Sequence, residues 1–331
     1  MTSGSDRWRR APVLVAPDSF KGTIDAGAVA AAVARGLRSG GCEALELPVA
    51  DGGEGTLAVL IRAGGGELHE AEVSDPLGRP ITASWGLLAD GRTAVVETAQ
   101  ASGLGRVAEG ERDAWSASTR GTGELIAAAV AEGATSVLVA VGGSATSDGG
   151  AGALAALDEA DVDPALTVLC DVRTPWERAP AVFGPQKGAD ARTVRRLEER
   201  LGEIARAAPR DPTGLPMTGC AGGLSGGLWA YRNARLVPGA AFVLDALGFD
   251  AHMRASRFVV TGEGSLDEQT LGGKAVGELA TRCRQAGVAC HAVVGRDRLD
   301  LFLRRVLDIG SVTEAGTAAE LEAAGCALAA L

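Results

Sequence analysis

Five short stretches hold most of the chemistry this chain could do. They read APDSFKGT, VADGGEGT, VGGSATSDGG, CDVRTPW and TGEGSLDEQT, and each follows an apolar run. Every one contains Asp, and two add Glu. Any one alone is ordinary turn chemistry, because Asp and Gly favour turns. Together, loops at strand ends can converge on one cleft, where their carboxylates would repel each other unless a cation intervened. That combination points to a Mg²⁺-phosphate site, with carboxylates on the metal and backbone amides around phosphate. The chemistry it favours is nucleotide-dependent phosphoryl transfer.

The third stretch, Val141 to Gly150, enters a helix of small residues. Its glycines and hydroxyls are suited to presenting N–H and O–H groups to phosphate at a helix N-terminus. Asp148 has two readings there, a Mg²⁺ ligand or a helix cap. Lysine usage adds a second signal. Of 32 basic residues only Lys21, Lys187 and Lys274 are lysine, and each has a glycine beside it. In an Arg-rich chain this marks places where a compact ammonium meets anionic oxygens at close range. No Walker A loop and no dinucleotide-binding fingerprint after a strand occurs. The three histidines are scattered, and the six cysteines lack metal-site spacing and read as reduced, mostly buried thiols.

The elements that must position these loops alternate strand and helix. Val13–Ala16 reads as a buried strand, and Asp25 as the cap of a helix running to about Leu37. The texture changes near Glu67, where short strands and the turns DPLGRP and ADGR predict antiparallel hairpins. Strand–helix alternation returns near Ser118, the reading is mixed from Asp161 to about Arg254, and strand, acidic loop and helix then repeat; several such units favour a parallel sheet with its loops beyond the strands' carboxyl ends. The chain has 331 residues, enough for two domains, and a net charge of −10 that argues against a nucleic-acid groove. The apolar run near the N-terminus stops at Asp18, too short for a signal peptide, so the expectation is a cytoplasmic protein without membrane spans.

Taken in order, APDSFKGT, PVADGGEGT, DPLGRP, ETAQASGL, GTGELI, GGSATSDGGAG, CDV, VFGPQKGA, GCAGGLSGGL and TGEGSLDEQTLGGKA resemble the bacterial two-domain glycerate kinase family. The resemblance runs from about residue 12 to residue 280. It implies ATP-dependent phosphorylation of D-glycerate, usually to 2-phosphoglycerate, on a flavodoxin-like α/β domain with a second α/β domain inserted in it. The expected boundaries are 1–66, 118–160 and 255–331 for the first domain, and 67–117 with 161–254 for the insert. A homodimer is left open. The chain departs from the family pattern in three places. Ser147 replaces a usual Asn, the stretch after Val172 lacks N-P-L and G-x-x-G-A, and VVGRDRLD lacks a Gly-rich continuation.

With glycerate and ATP as the implied substrates, roles can be assigned. Ser19 and Lys21 would take the substrate carboxylate, with Asp51 and Arg79 as further substrate contacts. Asp171, or else Asp18, would receive the hydroxyl proton. Asp148, Glu263 and Asp51 are the metal candidates. Lys187 and Lys274 would neutralise phosphate charge, and Gly142, Gly143, Ser144, Ser147, Gly262 and Gly264 would line the nucleotide. The alternatives are a kinase forming 3-phosphoglycerate or acting on another small hydroxy acid, and a non-catalytic nucleotide- or metabolite-binding protein.

Overall fold

The computed structural model describes residues 11–331; the first ten residues of the leader-like opening lie outside them. The strands are β1 (Val13–Val15), β2 (Ala44–Glu46), β3 (Gly66–Ser74), β4 (Pro80–Leu88), β5 (Thr93–Glu97), β6 (Ser136–Ala140), β7 (Ala165–Cys170), β8 (Arg235–Pro238), β9 (Val259–Thr261), β10 (Ser265–Leu266), β11 (Cys290–Val294), β12 (Arg296–Asp297) and β13 (Ile309–Glu314). The chain forms two compact units. One runs to Asp51 and resumes from Ala240 to Leu331; the other is Gly52–Gly239.

In the first unit a five-stranded sheet has the order β13-β11-β9-β1-β2, and every neighbouring pair is parallel. Counting only its own strands, this is the 2-1-3-4-5 order of flavodoxin-like folds. Val13, Leu14 and Val15 have no solvent exposure. A strand covered on both faces needs this uninterrupted apolar run, not an alternating one. Asp25 caps helix Ala26–Ser39 by accepting from the Ala28 amide at 2.8 Å. That helix packs on helix Ala318–Leu328, whose Thr317 and Glu320 form a reciprocal capping box. Strand order reverses between β1 and β9, the point beyond whose carboxyl ends such folds bind ligands.

The second unit is built on a six-stranded sheet, β3-β4-β5-β6-β7-β8. Its first three strands are antiparallel, as the texture after Glu67 predicts, and β5 to β8 are parallel. The class is therefore as expected, an α/β chain with a parallel sheet and a second α/β unit inserted. The boundaries differ from the expected 118–160 and 255–331. β6 pairs with both β5 and β7, so Ser118–Ala160 falls in the inserted unit, and the first unit resumes at Ala240. Among the described residues no helix is long and apolar enough to cross a membrane.

Candidate active site

At the reversal point of the first unit, the loops after β1 and β9 run side by side, tied by the Asp18 amide donating to Gly262 O at 2.8 Å. The first loop carries Asp18, Ser19 and Lys21, and the second carries Glu263 and Gly264. With Asp51 after β2 and Lys274 ahead of helix Ala275–Ala286, they line one pocket of about 400 Å³. Lys21 Nζ stands 3.8 Å from Asp51 Oδ2. Asp18, Asp51 and Glu263 are all buried.

Two of these acids, Asp18 and Glu263, hold protons more tightly than usual. Burial foremost, and then the Asp51 charge, raises Asp18 well above the ordinary carboxyl range; the Ser19 amide at 2.6 Å and Lys21 only partly offset this. Burial pushes Glu263 up to about 7, against a hydrogen bond of 2.6 Å from Thr270 Oγ1 and the charge of Lys274. Shifted acids facing a pocket are a signature of functional sites.

In the second unit the loop after β6 is arranged differently from the phosphate cradle expected. Of Gly142 to Gly150 only Gly143 is exposed. The Gly142 amide turns to Gly52 O, Ala145 to Ser102 O and Gly149 to Gly222 O. Asp148 Oδ2 accepts from Thr119 N and Thr119 Oγ1, both at 2.9 Å, and from Gly152 N at 3.1 Å; Oδ1 accepts from Gly150 N at 3.1 Å. The anion at the mouth of helix Ala151–Glu159 is thus the protein's own carboxylate. All four of its hydrogen bonds come from groups of its own unit.

Lys187 is buried behind the same loop. Its Nζ donates to Ser144 Oγ at 2.9 Å and to Thr146 O at 2.6 Å, fixing the loop from inside. Burial lowers it to about 8, although Asp148 and Asp171 pull the other way. Ser147 is buried in the loop it belongs to. A side chain at Gly142 would meet Gly53 and Asp171 Oδ2, which places Asp171 against that glycine. The GCAGGLSGGL stretch packs on the loop; a Cβ at Gly227 would lie 2.2 Å from Gly149 O. Arg79 closes the β3–β4 turn, where it pairs with Asp75 and Glu111 of its own unit.

Sequence reasoning missed two groups in the first-unit pocket, Asp267 and Arg296. Asp267 lay within a quoted loop. The signal for Arg296 was its place directly after Gly295, at the carboxyl end of a buried apolar strand. Among the described residues no three His, Cys, Asp or Glu side chains converge to cage a metal ion.

A flavodoxin-ordered parallel sheet whose switch-point loops build a pocket of shifted acids and lysines defines an α/β enzyme acting on a small anionic substrate. The chain belongs to the glycerate kinase family, whose sequence model matches residues 13–165 and 158–319. It is 38% identical over 325 residues to a glycerate kinase of Bacillus subtilis, covering 86% of this chain and 84% of the relative. A glycerate 2-kinase of Escherichia coli K12 is 37% identical over 301 residues, 79% of each chain. A crystal structure from Salmonella typhimurium LT2, provisionally named glycerate kinase 2, superposes with a TM-score of 0.80 at 32% identity over 97% of both chains.

Proposed function

We propose that this kinase transfers the terminal phosphoryl group of ATP to D-glycerate, with Mg²⁺, and forms 2-phosphoglycerate. The observation that carries the reading is the first-unit pocket, where buried acids and two of the three lysines meet at the sheet's switch point in a chain of this family. The 2-position follows the named activity of the E. coli relative.

Phosphoryl transfer is largely positioning and charge stabilisation. Lys21 and Ser19 hold the substrate carboxylate, and Asp51 orients Lys21. Asp18 accepts the proton of the attacking hydroxyl. It shares the pocket with Lys21 and Ser19, whereas Asp171, favoured from sequence, sits against Gly142 in the other unit. A carboxylate with raised proton affinity is a better general base near neutral pH than an ordinary aspartate. Lys274 faces the transferred phosphoryl group. In the second unit Gly143 is the exposed residue of the loop after β6, and Lys187 with Ser144 supports that loop from behind.

Asp51 and Glu263 are hard oxygen donors of the type Mg²⁺ takes. Holding it through one or two carboxylates, with phosphates and water completing the shell, requires no three-acid cage. When bound, Mg²⁺ neutralises charge on the β- and γ-phosphates. The test is ³¹P NMR of the product from purified protein, D-glycerate and Mg-ATP. A 2-phosphoglycerate signal is expected. A 3-phosphoglycerate signal overturns the regiochemistry, and nucleotide binding without any phosphoglycerate overturns the activity.

A further inference from the structure

Arg296 lines the same pocket and has no role in the assignments above. Its position follows from the way two loops are zipped together. β10 and β12 form a two-stranded parallel ladder in which Ser265 faces Arg296 and Leu266 faces Asp297. The Gly295 amide donates to Glu263 O at 3.1 Å, and the Arg296 amide to Gly264 O at 3.0 Å. Position 295 must be glycine for this approach, because a Cβ there would stand 2.5 Å from Gly264 O. The loop after β11 is thereby fastened to the loop that carries Glu263, and Arg296 is held at the pocket wall.

The other charges of the pocket have opposite partners nearby. Lys21 faces Asp51, and Lys274 acts on Glu263. Next to Arg296 in sequence, Asp297 pairs with Arg304, takes the Leu299 amide on Oδ1, and has its own amide held by Glu314 Oε1. Successive side chains of a strand point to opposite faces, so Asp297 turns away from Arg296. Among the described residues no acid pairs with the Arg296 guanidinium. A permanently charged planar fork, exposed at a pocket wall and unpaired, matches a carboxylate in two-pronged fashion.

We propose that Arg296 binds the carboxylate of the acceptor and makes the pocket selective for hydroxy acids over neutral polyols. It rests on the reading of the first-unit pocket as the acceptor site, and it adds a second cation beside Lys21. The carboxylate then lies between an ammonium and a guanidinium, with its hydroxyls directed toward Asp18.

The experiment is steady-state kinetics of the full-length protein and of Arg296→Met and Arg296→Lys, varying D-glycerate and ATP separately, with glycerol as a second acceptor. Titration calorimetry with D-glycerate alone accompanies it. In Arg296→Met the KM for glycerate should rise about 10- to 100-fold, the range of a lost charge-assisted pair. The KM for ATP and kcat should stay within about threefold, and the preference for glycerate over glycerol should fall by at least tenfold. Arg296→Lys should be intermediate, because an ammonium keeps the charge and loses the fork. Unchanged melting temperature is expected, since the side chain is exposed and unpaired. A glycerate KM within threefold of wild type overturns the proposal, as does a rise confined to the KM for ATP. If wild type binds glycerate without turnover, the kinase reading fails while the calorimetric difference between wild type and Arg296→Met still decides the role of Arg296. If wild type neither binds nor turns over glycerate, both fail.

Discussion

Asp18 in the first unit and Asp148 in the second are both buried aspartates in loops after parallel strands. They differ in the donors that meet them. Asp148 accepts four hydrogen bonds from Thr119, Gly150 and Gly152, just ahead of helix Ala151–Glu159. Asp18, among the described residues, accepts one, from the neighbouring Ser19 amide, and shares its pocket with Asp51 and Glu263. Buried polar groups are normally satisfied, so a buried acid left short of donors beside a cavity marks a place kept for a ligand. A saturated acid marks architecture. On the proposed mechanism the same residue type carries chemistry in one unit and structure in the other.

The largest expected effect tests the first half of that contrast. Asp18→Asn should lower kcat by about 10²- to 10⁴-fold, the range for loss of a general base. Its melting temperature should hold or rise, because one of several repelling acids is removed. Asp171→Asn, measured in the same coupled assay, should lose less than tenfold; the reverse ranking would transfer the base to Asp171.

The second half predicts the opposite pattern. Asp148→Ala leaves buried donors without an acceptor and should cost on the order of 3 kcal/mol of stability. Urea unfolding measures this directly. A cost below about 1 kcal/mol, combined with a large fall in kcat, would make Asp148 a reacting or metal-binding group after all.

The same contrast explains what the sequence made legible. β1, the hairpin strands and the five acidic loops follow from local pattern, since apolar runs, alternation and Asp-Gly turns are written within a few residues. The sheet to which a strand belongs is not. Ser136–Ala140 reads like any buried parallel strand, and its pairing is decided by partners 43 residues upstream in β5 and 29 residues downstream in β7. Asp148 is ambiguous for the same reason, because two of the donors it meets belong to Thr119, 29 residues upstream. Asp18 and Lys21 were legible as site residues because a single loop carries both. Arg296 was not, being one arginine in an Arg-rich chain until β12 pairs with β10.

The smallest effect concerns pH and again separates the units. Glu263 binds its proton more tightly folded, at about 7, than the 4.5 of an ordinary glutamate. Between those values the folded state holds more protons than the unfolded, so its contribution is full below pH 4.5 and is lost as pH rises through 7. Lys187 is the reverse: it titrates at about 8 when folded against 10.5 ordinarily. The unfolded state then holds more protons, so stability rises between pH 8 and 10.5 and falls as pH drops through 8. Each shift corresponds to roughly 3 kcal/mol at most, and less where pocket water screens Glu263. Unfolding free energies of wild type, Glu263→Gln and Lys187→Met from pH 5 to 10 read the two windows apart. Glu263→Gln should flatten only the acid-to-neutral fall, and Lys187→Met only the alkaline rise, whatever their absolute stabilities. A Lys187→Met curve that still climbs above pH 8 would show that its ammonium is not desolvated, and that the second unit is as open to water as the first-unit pocket.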